Sequence, residues 1–199
     1  MKFINALTGE IYYRKKRHRF DNRTDAREFT FCCYKWIPFL CKDRTRTWLL
    51  EEIDLARGKY GFHIWAYVIM PEHVHLLLAS NGTQLEFGKV IGEVKENVAR
   101  QAIAYMEQHS PQWLPRITVR EGSKVRRRFW QPGGGYDRNV DSVTTVHRMI
   151  TSIHMNPVRR NLALQAVDWY WSSCRWYHQL PDIPLRIDAS LPVSYEIES

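Results

Sequence analysis

Phe62-His-Ile-Trp-Ala-Tyr-Val-Ile-Met-Pro-Glu-His-Val-His-Leu-Leu-Leu-Ala79 carries the signal that decides the fold. Phe62 to Met70 is a largely apolar run of strand length, Pro71-Glu72 supplies a turn, and His73 to Ala79 is a further strand. Leu76, Leu77 and Leu78 are consecutive, so that strand is expected to be buried on both faces. His73 and His75 stand two apart where it begins. Side chains at i and i+2 of a strand leave the same face, so both imidazoles converge on one point. Convergent imidazoles suit a divalent metal, and a metal beside a basic surface suggests phosphate chemistry. The plain alternative for two such histidines is polar surface.

Outward from this pair, Glu28 to Trp36 is aromatic and strand-like. Thr45 to Tyr60 places Trp48, Leu49, Ile53, Leu55 and Ala56 among charges at helical spacing, with Gly58 as the expected stop. Leu85 to Gln108 is a long amphipathic helix with Phe87, Val90, Ile91, Val94, Val98, Ala102 and Tyr105 toward the core. Pro111 and Pro115 bound a linker, and Arg116 to Arg120 is a short strand candidate. Phe129 to Asn139 reads as a loop or bent strand, because its three glycines allow backbone geometries closed to other residues. Ser142 to Met155 is helical, with Asp141 or Ser142 as N-cap and Pro157 ending it. Asp168 to Tyr177 is aromatic. The order strand, helix, strand, strand, helix, strand-like segment points to the α+β class: a ferredoxin-like antiparallel sheet with helices packed on one face. Three parts are expected: a basic N-terminal arm (1–27), a single domain (28–178) and a loosely attached C-terminal tail (179–199).

The chain has 199 residues, 44% hydrophobic and 13% aromatic, enough to bury an ordinary core. No run approaches the roughly 18 uncharged apolar residues of a membrane span. Met1 to Glu10 lacks the pattern of a signal peptide, so a soluble, cytoplasmic protein with no membrane partner is expected. The four cysteines, Cys32, Cys33, Cys41 and Cys174, form no C-x-x-C pair and are read as reduced, small apolar residues. Lysine and arginine number 29 against 21 aspartates and glutamates, giving +8 with histidine neutral. The excess clusters at Arg14 to Arg19, Lys124 to Arg128 and Arg159-Arg160, which favours a polyanionic partner over a merely solvated face.

Tyr67-Val-Ile-Met-Pro-Glu-His-Val-His-Leu-Leu-Leu78 resembles the metal-binding strand pair of the IS200-like, single-tyrosine HUH transposases. Within them the chain is most similar to the REP-associated tyrosine transposases (REP, repetitive extragenic palindrome). Phe129-Trp-Gln131, Tyr136-Asp-Arg138, Ile153-His-Met-Asn-Pro-Val-Arg159 and Trp171-Ser-Ser173 follow at that branch's order and spacing. The resemblance runs from about Phe29 to Trp176. It implies a DNA transposase, commonly a homodimer, that cleaves and rejoins single-stranded, hairpin-forming DNA through a 5′-phosphotyrosine. It implies further that Mg2+ or Mn2+, held by His73, His75 and Asn156, polarises the scissile phosphate. Two nitrogen ligands favour manganese on softness, and availability favours magnesium.

The chain departs from the family pattern at one position. The nucleophilic tyrosine lies four residues before the Asn of the Asn-Pro motif, on the same helix face, and here that residue is Ser152. A serine hydroxyl is too close to the backbone to reach where a phenol oxygen would. Its alkoxide is also much harder to form than a phenolate, whose parent tyrosine has a pKa of about 10. His154, two residues on, points to another side of the helix and offers no base. Tyr136 on the glycine loop, ahead of Tyr105 on the long helix, is the alternative nucleophile. Otherwise the metal activates water, or the chain binds hairpin DNA without cutting it.

Arg126, Arg127, Arg128, Arg159 and Arg160 are the expected phosphate contacts. Trp130, beside the basic run, is the candidate for stacking on an unpaired base, whereas Trp36, Trp65 and Trp171 are assigned to the core. Glu72 is expected to face solvent in its turn, with a general-base role as the alternative. His63 and His147 read as surface or satisfied core histidines.

Overall fold

A computed structural model of the chain describes residues 2–4, 11–13, 26–82, 85–140 and 143–190. The Arg14 to Arg19 cluster and the Asp141/Ser142 N-cap lie outside the described residues. Short strands β1 (Lys2–Ile4) and β2 (Ile11–Tyr13) pair antiparallel with each other. The main sheet has four strands in the order β4 (Phe62–Ile69), β5 (His73–Ser80), β3 (Ala26–Cys32), β8 (Tyr136–Val140). Every pairing in it is antiparallel. With α1 (Asp43–Tyr60) after β3 and α2 (Phe87–His109) after β5, this is the ferredoxin-like α+β arrangement expected from the sequence.

The two long helices cover one face of the sheet. Phe87 of α2 meets Phe29 of β3 at a ring separation of 5.7 Å and Phe62 of β4 at 6.0 Å. Leu76, Leu77 and Leu78 are all fully buried, as a strand covered on both faces requires. α4 (Val143–His154) packs against β4 and β5 with Val146, Met149, Ile150 and Ile153 inward. The remaining helices are single turns: α3 (Leu114–Ile117), α5 (Asn156–Arg159) and α6 (Cys174–Tyr177).

Four expectations change or sharpen. Gly58 sits inside α1, and the helix stops at Gly61, whose φ of +67° lets its N–H close back on Arg57 O. Tyr136 to Val140 is an edge strand, because an edge with one open face has little apolar alternation to announce it. Lys124–Arg127 (β7) pairs with Thr118–Glu121 (β6) as a hairpin, where only charge was legible. The tail is not loose over its described part: Leu185 and Ile187 are buried. Asp188 N and Oδ2 bond Ile64 O and N along the free edge of β4, at 2.9 and 2.8 Å.

Candidate metal centre

Register places the site. Thr30 of β3 stands opposite His75 of β5 on one side and opposite Tyr136 of β8 on the other. Directly opposed residues share a face, so His75, Thr30 and Tyr136 form one row across three strands. With strands about 4.8 Å apart, the backbones of His75 and Tyr136 are roughly 10 Å apart. The row lies on the face opposite Phe29, Phe31, Leu76 and Leu78, away from α2. His73 is at the strand end, opposite Cys32. Tyr136 is 42% exposed, so its phenol is accessible on the same face as the histidines.

The two imidazoles are 5.0 Å apart between ring centroids, edge to face. His73 is buried, and its Nδ1 is 3.0 Å from Glu72 Oε1. Burial holds the His73 pKa below its ordinary value, only partly offset by Glu72, so the ring is neutral at pH 7. Burial pushes the Glu72 carboxyl up, but His73 and Arg160 outweigh it and leave Glu72 below the usual range. A carboxylate only accepts, so neutral His73 carries its proton on Nδ1 and its lone pair on Nε2. His75 Nδ1 is 2.8 Å from Thr30 Oγ1, with Glu28 Oε1 at 3.7 Å. Both rings thus have Nδ1 held by the surrounding protein, the arrangement that frees Nε2 for a cation. Among the described residues no third His, Cys, Asp or Glu joins them in metal-binding geometry. A third protein ligand, were a cation held here, would be another oxygen donor, and an amide oxygen suits a hard divalent ion.

Asn156 opens α5 immediately after α4. Pro157 has no N–H to give Ile153 O, and the Asn156 amide donates there instead at 3.2 Å, and to Ser152 O at 2.9 Å. Both bonds use Nδ2, which leaves Oδ1 as the acceptor end of the side chain. Arg160 caps α5 and forms an ion pair with Glu72 Oε1 at 3.0 Å, which brings this helix end to the histidine strand. Ser152 is exposed, and its hydroxyl accepts from Arg159 at 3.2 Å.

Glu72 is 8% exposed, so the expected solvent-facing turn residue is instead the anchor of His73. Thr30 carried no sequence signal; only strand pairing brings it to His75. Trp36 is also beside the site rather than in the core, its ring 5.9 Å from that of His73. Trp130 is 7% exposed, donates Nε1–H to Lys95 O and meets Phe31 edge-on at 5.1 Å. It is a core residue, unavailable to stack on a base. Tyr105 stacks on His109 and packs against Trp48 in the helical layer, remote from the histidine face. Arg126, Arg127 and Arg128 follow one another along β7 and just past it, away from Arg159 and Arg160 in sequence and in element.

No described helix is long and apolar enough to cross a membrane. No family model matches the chain. A Haemophilus influenzae protein described as a "Putative REP-associated tyrosine transposase" is 25% identical over 154 residues, 74% of this chain and 82% of that one. The solved structure of a REP-associated tyrosine transposase bound to a REP hairpin matches with a TM-score of 0.66 and 17% identity. The match covers 92% of this chain and 99% of that one, which establishes a shared fold. In sequence this chain is similar to a REP-associated tyrosine transposase, and in fold to the solved one.

Proposed function

We propose that the chain binds hairpin-forming single-stranded DNA and cleaves and rejoins it through a 5′-phosphotyrosine formed on Tyr136. The carrying observation is the row His75, Thr30, Tyr136, which sets an exposed phenol on the same sheet face as two histidines with oriented rings. His73 and His75, through Nε2, and Asn156, through Oδ1, are the residues that would hold Mg2+ or Mn2+. Such an ion, when bound, polarises a phosphate oxygen. A DNA partner is supported by the likeness in fold to a protein solved with a REP hairpin.

The chain's own residues then have distinct tasks. Arg160, paired with Glu72, and Arg159, beside Ser152, lie at the helix end and hold the phosphate backbone. The Tyr136 oxygen attacks phosphorus, a new O–P bond forms and the P–O3′ bond breaks. The departing 3′-oxygen ends as a hydroxyl with the proton the phenol gives up. The ester energy stays in the tyrosine–phosphate bond, so the same 3′-hydroxyl can reverse the step without a nucleotide cofactor.

A second reading has its own support. Ser152 stands at the family's tyrosine position, and Arg159 already occupies its hydroxyl and carbonyl. On this reading the chain binds hairpin DNA without cutting it.

A denaturing gel with labelled hairpin DNA and manganese separates the two. Tyr136 as nucleophile predicts a covalent adduct with the native chain that disappears in Tyr136→Phe. An adduct seen only in Ser152→Tyr would establish the non-cutting reading. An adduct that survives Tyr136→Phe would move the nucleophile elsewhere.

A further inference from the structure

β6 and β7 form a two-stranded ribbon in which Thr118 pairs with Arg127, Val119 with Arg126, Arg120 with Val125 and Glu121 with Lys124. Every residue from Arg120 to Arg127 is exposed. A ribbon open on both faces gains little from packing, since an isolated hairpin is marginal in water. From Arg116 to Arg128 the cations are Arg116, Arg120, Lys124, Arg126, Arg127 and Arg128, against the single anion Glu121. Arg126 and Arg128 share Glu121, and Arg127 pairs with Glu107 of α2. Arg120 and Lys124 pair with no carboxylate among the described residues. Their register puts them on opposite faces of the ribbon, with Val125, 62% exposed, beside Arg120.

The foot of the ribbon is tied to the histidine end of the sheet. Arg128 N donates to Ile117 O, Tyr34 N to Phe129 O and Gln131 N to Cys32 O, at 2.8, 2.8 and 2.9 Å. Trp130 bridges to Cys33, and Cys32 is the residue opposite His73. Following the chain from Arg128 to Gly122, the ribbon extends at most about 20 Å at roughly 3.3 Å per residue.

Building on the DNA-binding reading above, we infer that this ribbon is a separate docking surface for the duplex stem of the hairpin. It lies in the major groove while the single strand at the foot of the stem reaches His73 and His75. A two-stranded ribbon has the width that the major groove, about 12 Å across, admits. Twenty ångströms or so spans roughly six base pairs at about 3.4 Å each. With the ribbon edge-on in the groove, Arg120 and Lys124 on its opposite faces meet the two walls and give up no ion pair to reach phosphate, which sets them apart from Arg126, Arg127 and Arg128.

The full-length chain and the double variant Arg120→Ala/Lys124→Ala are compared by fluorescence anisotropy on three probes: a mixed-sequence hairpin with a single-stranded extension, the blunt duplex of its stem, and an oligothymidine. Salt is varied from about 50 to about 200 mM. For the hairpin and the duplex, the variant's slope of log K against log salt is expected to be shallower by roughly 1.8, about 0.9 for each lost phosphate contact. The oligothymidine slope is expected to be unchanged. Thermal melting should be the same for both proteins, because neither side chain supports the fold. Equal losses on all three probes, or no loss on the hairpin, would overturn the ribbon as a stem-binding surface. So would a native chain that binds oligothymidine and not the stem, although DNA binding itself would then stand. Binding to none of the probes would remove the DNA reading and this inference with it.

Discussion

Arg160 forms an ion pair with Glu72 at 3.0 Å, and the oxygen it meets is the one that accepts from His73. One carboxylate oxygen thus fixes the ring of a histidine on β5 and the end of the helix that carries Asn156. Neither element alone positions both of the proposed ligands, His73 and Asn156.

On the proposed reading, that shared oxygen makes Glu72 an orienting group for the metal. Glu72→Gln keeps the shape but weakens the hold on His73 and Arg160, and Mn2+ affinity measured by calorimetry is expected to fall about 10- to 100-fold. Arg160→Ala should lower affinity less and cost at most about 1 kcal/mol of stability, because Arg160 is half exposed. Unchanged Mn2+ affinity in Glu72→Gln would show that His73 keeps its orientation without the carboxylate.

Gly135 approaches the sheet where Thr30 meets His75. Its φ is +80°, and a Cβ there would lie 2.1 Å from Thr30 O. Gly135→Ala therefore combines left-handed strain with a backbone clash and should cost at least about 2 kcal/mol in denaturant unfolding. Gly122, with φ +62° and open space around it, isolates the strain alone and should cost about 1 kcal/mol. Equal losses would mean that the glycine loop yields freely against β3.

Ser173 is fully buried, and its hydroxyl meets three groups: Tyr67 N at 2.9 Å, Tyr67 O at 3.2 Å and His154 Nε2 at 2.8 Å. Ser173→Ala removes that partner from Tyr67 N and His154 Nε2, at an expected cost of about 1–3 kcal/mol, while Tyr67 O keeps the Ser173 N–H at 3.0 Å. Ser152→Ala, on the exposed side of the same helix, should change stability by no more than about 0.5 kcal/mol. Chemical denaturation of the two variants side by side checks the contrast.

The cysteines differ sharply in reactivity. Burial, then Glu72, pushes the Cys32 thiol up to about 12. Burial alone raises Cys174 to about 11, and burial again holds Cys33 well above its ordinary value. Alkylation at pH 8 followed by mass spectrometry should label exposed Cys41 in the folded chain and the other three only after denaturation. For Cys174 the unfolded thiol ionises near 9.0 and the folded one near 11, so its contribution to stability is full below pH 9 and falls as pH rises through that window. Early labelling of Cys174 would place it at the surface.

The run Phe62 to Ala79 determined the fold class, because an apolar strand, a two-residue turn and a strand with three consecutive leucines leave few ways to bury both faces. His73 and His75 were legible for the same reason: spacing of two on a strand is itself a geometric statement. Ser152 was legible through its distance from Asn156 along a helix. Thr30, Glu72 and Arg160 were not, since each acts across strands or elements distant in sequence, and pairing register is a tertiary quantity. Trp130 was misread for the converse reason. A basic run, Arg126 to Arg128, ends just before it, but the ring turns inward against Phe31 and Lys95, which sit on other elements. The row that joins His75 to Tyr136 exists only once β8 pairs with β3, so the tertiary structure alone decided which tyrosine shares the histidines' face.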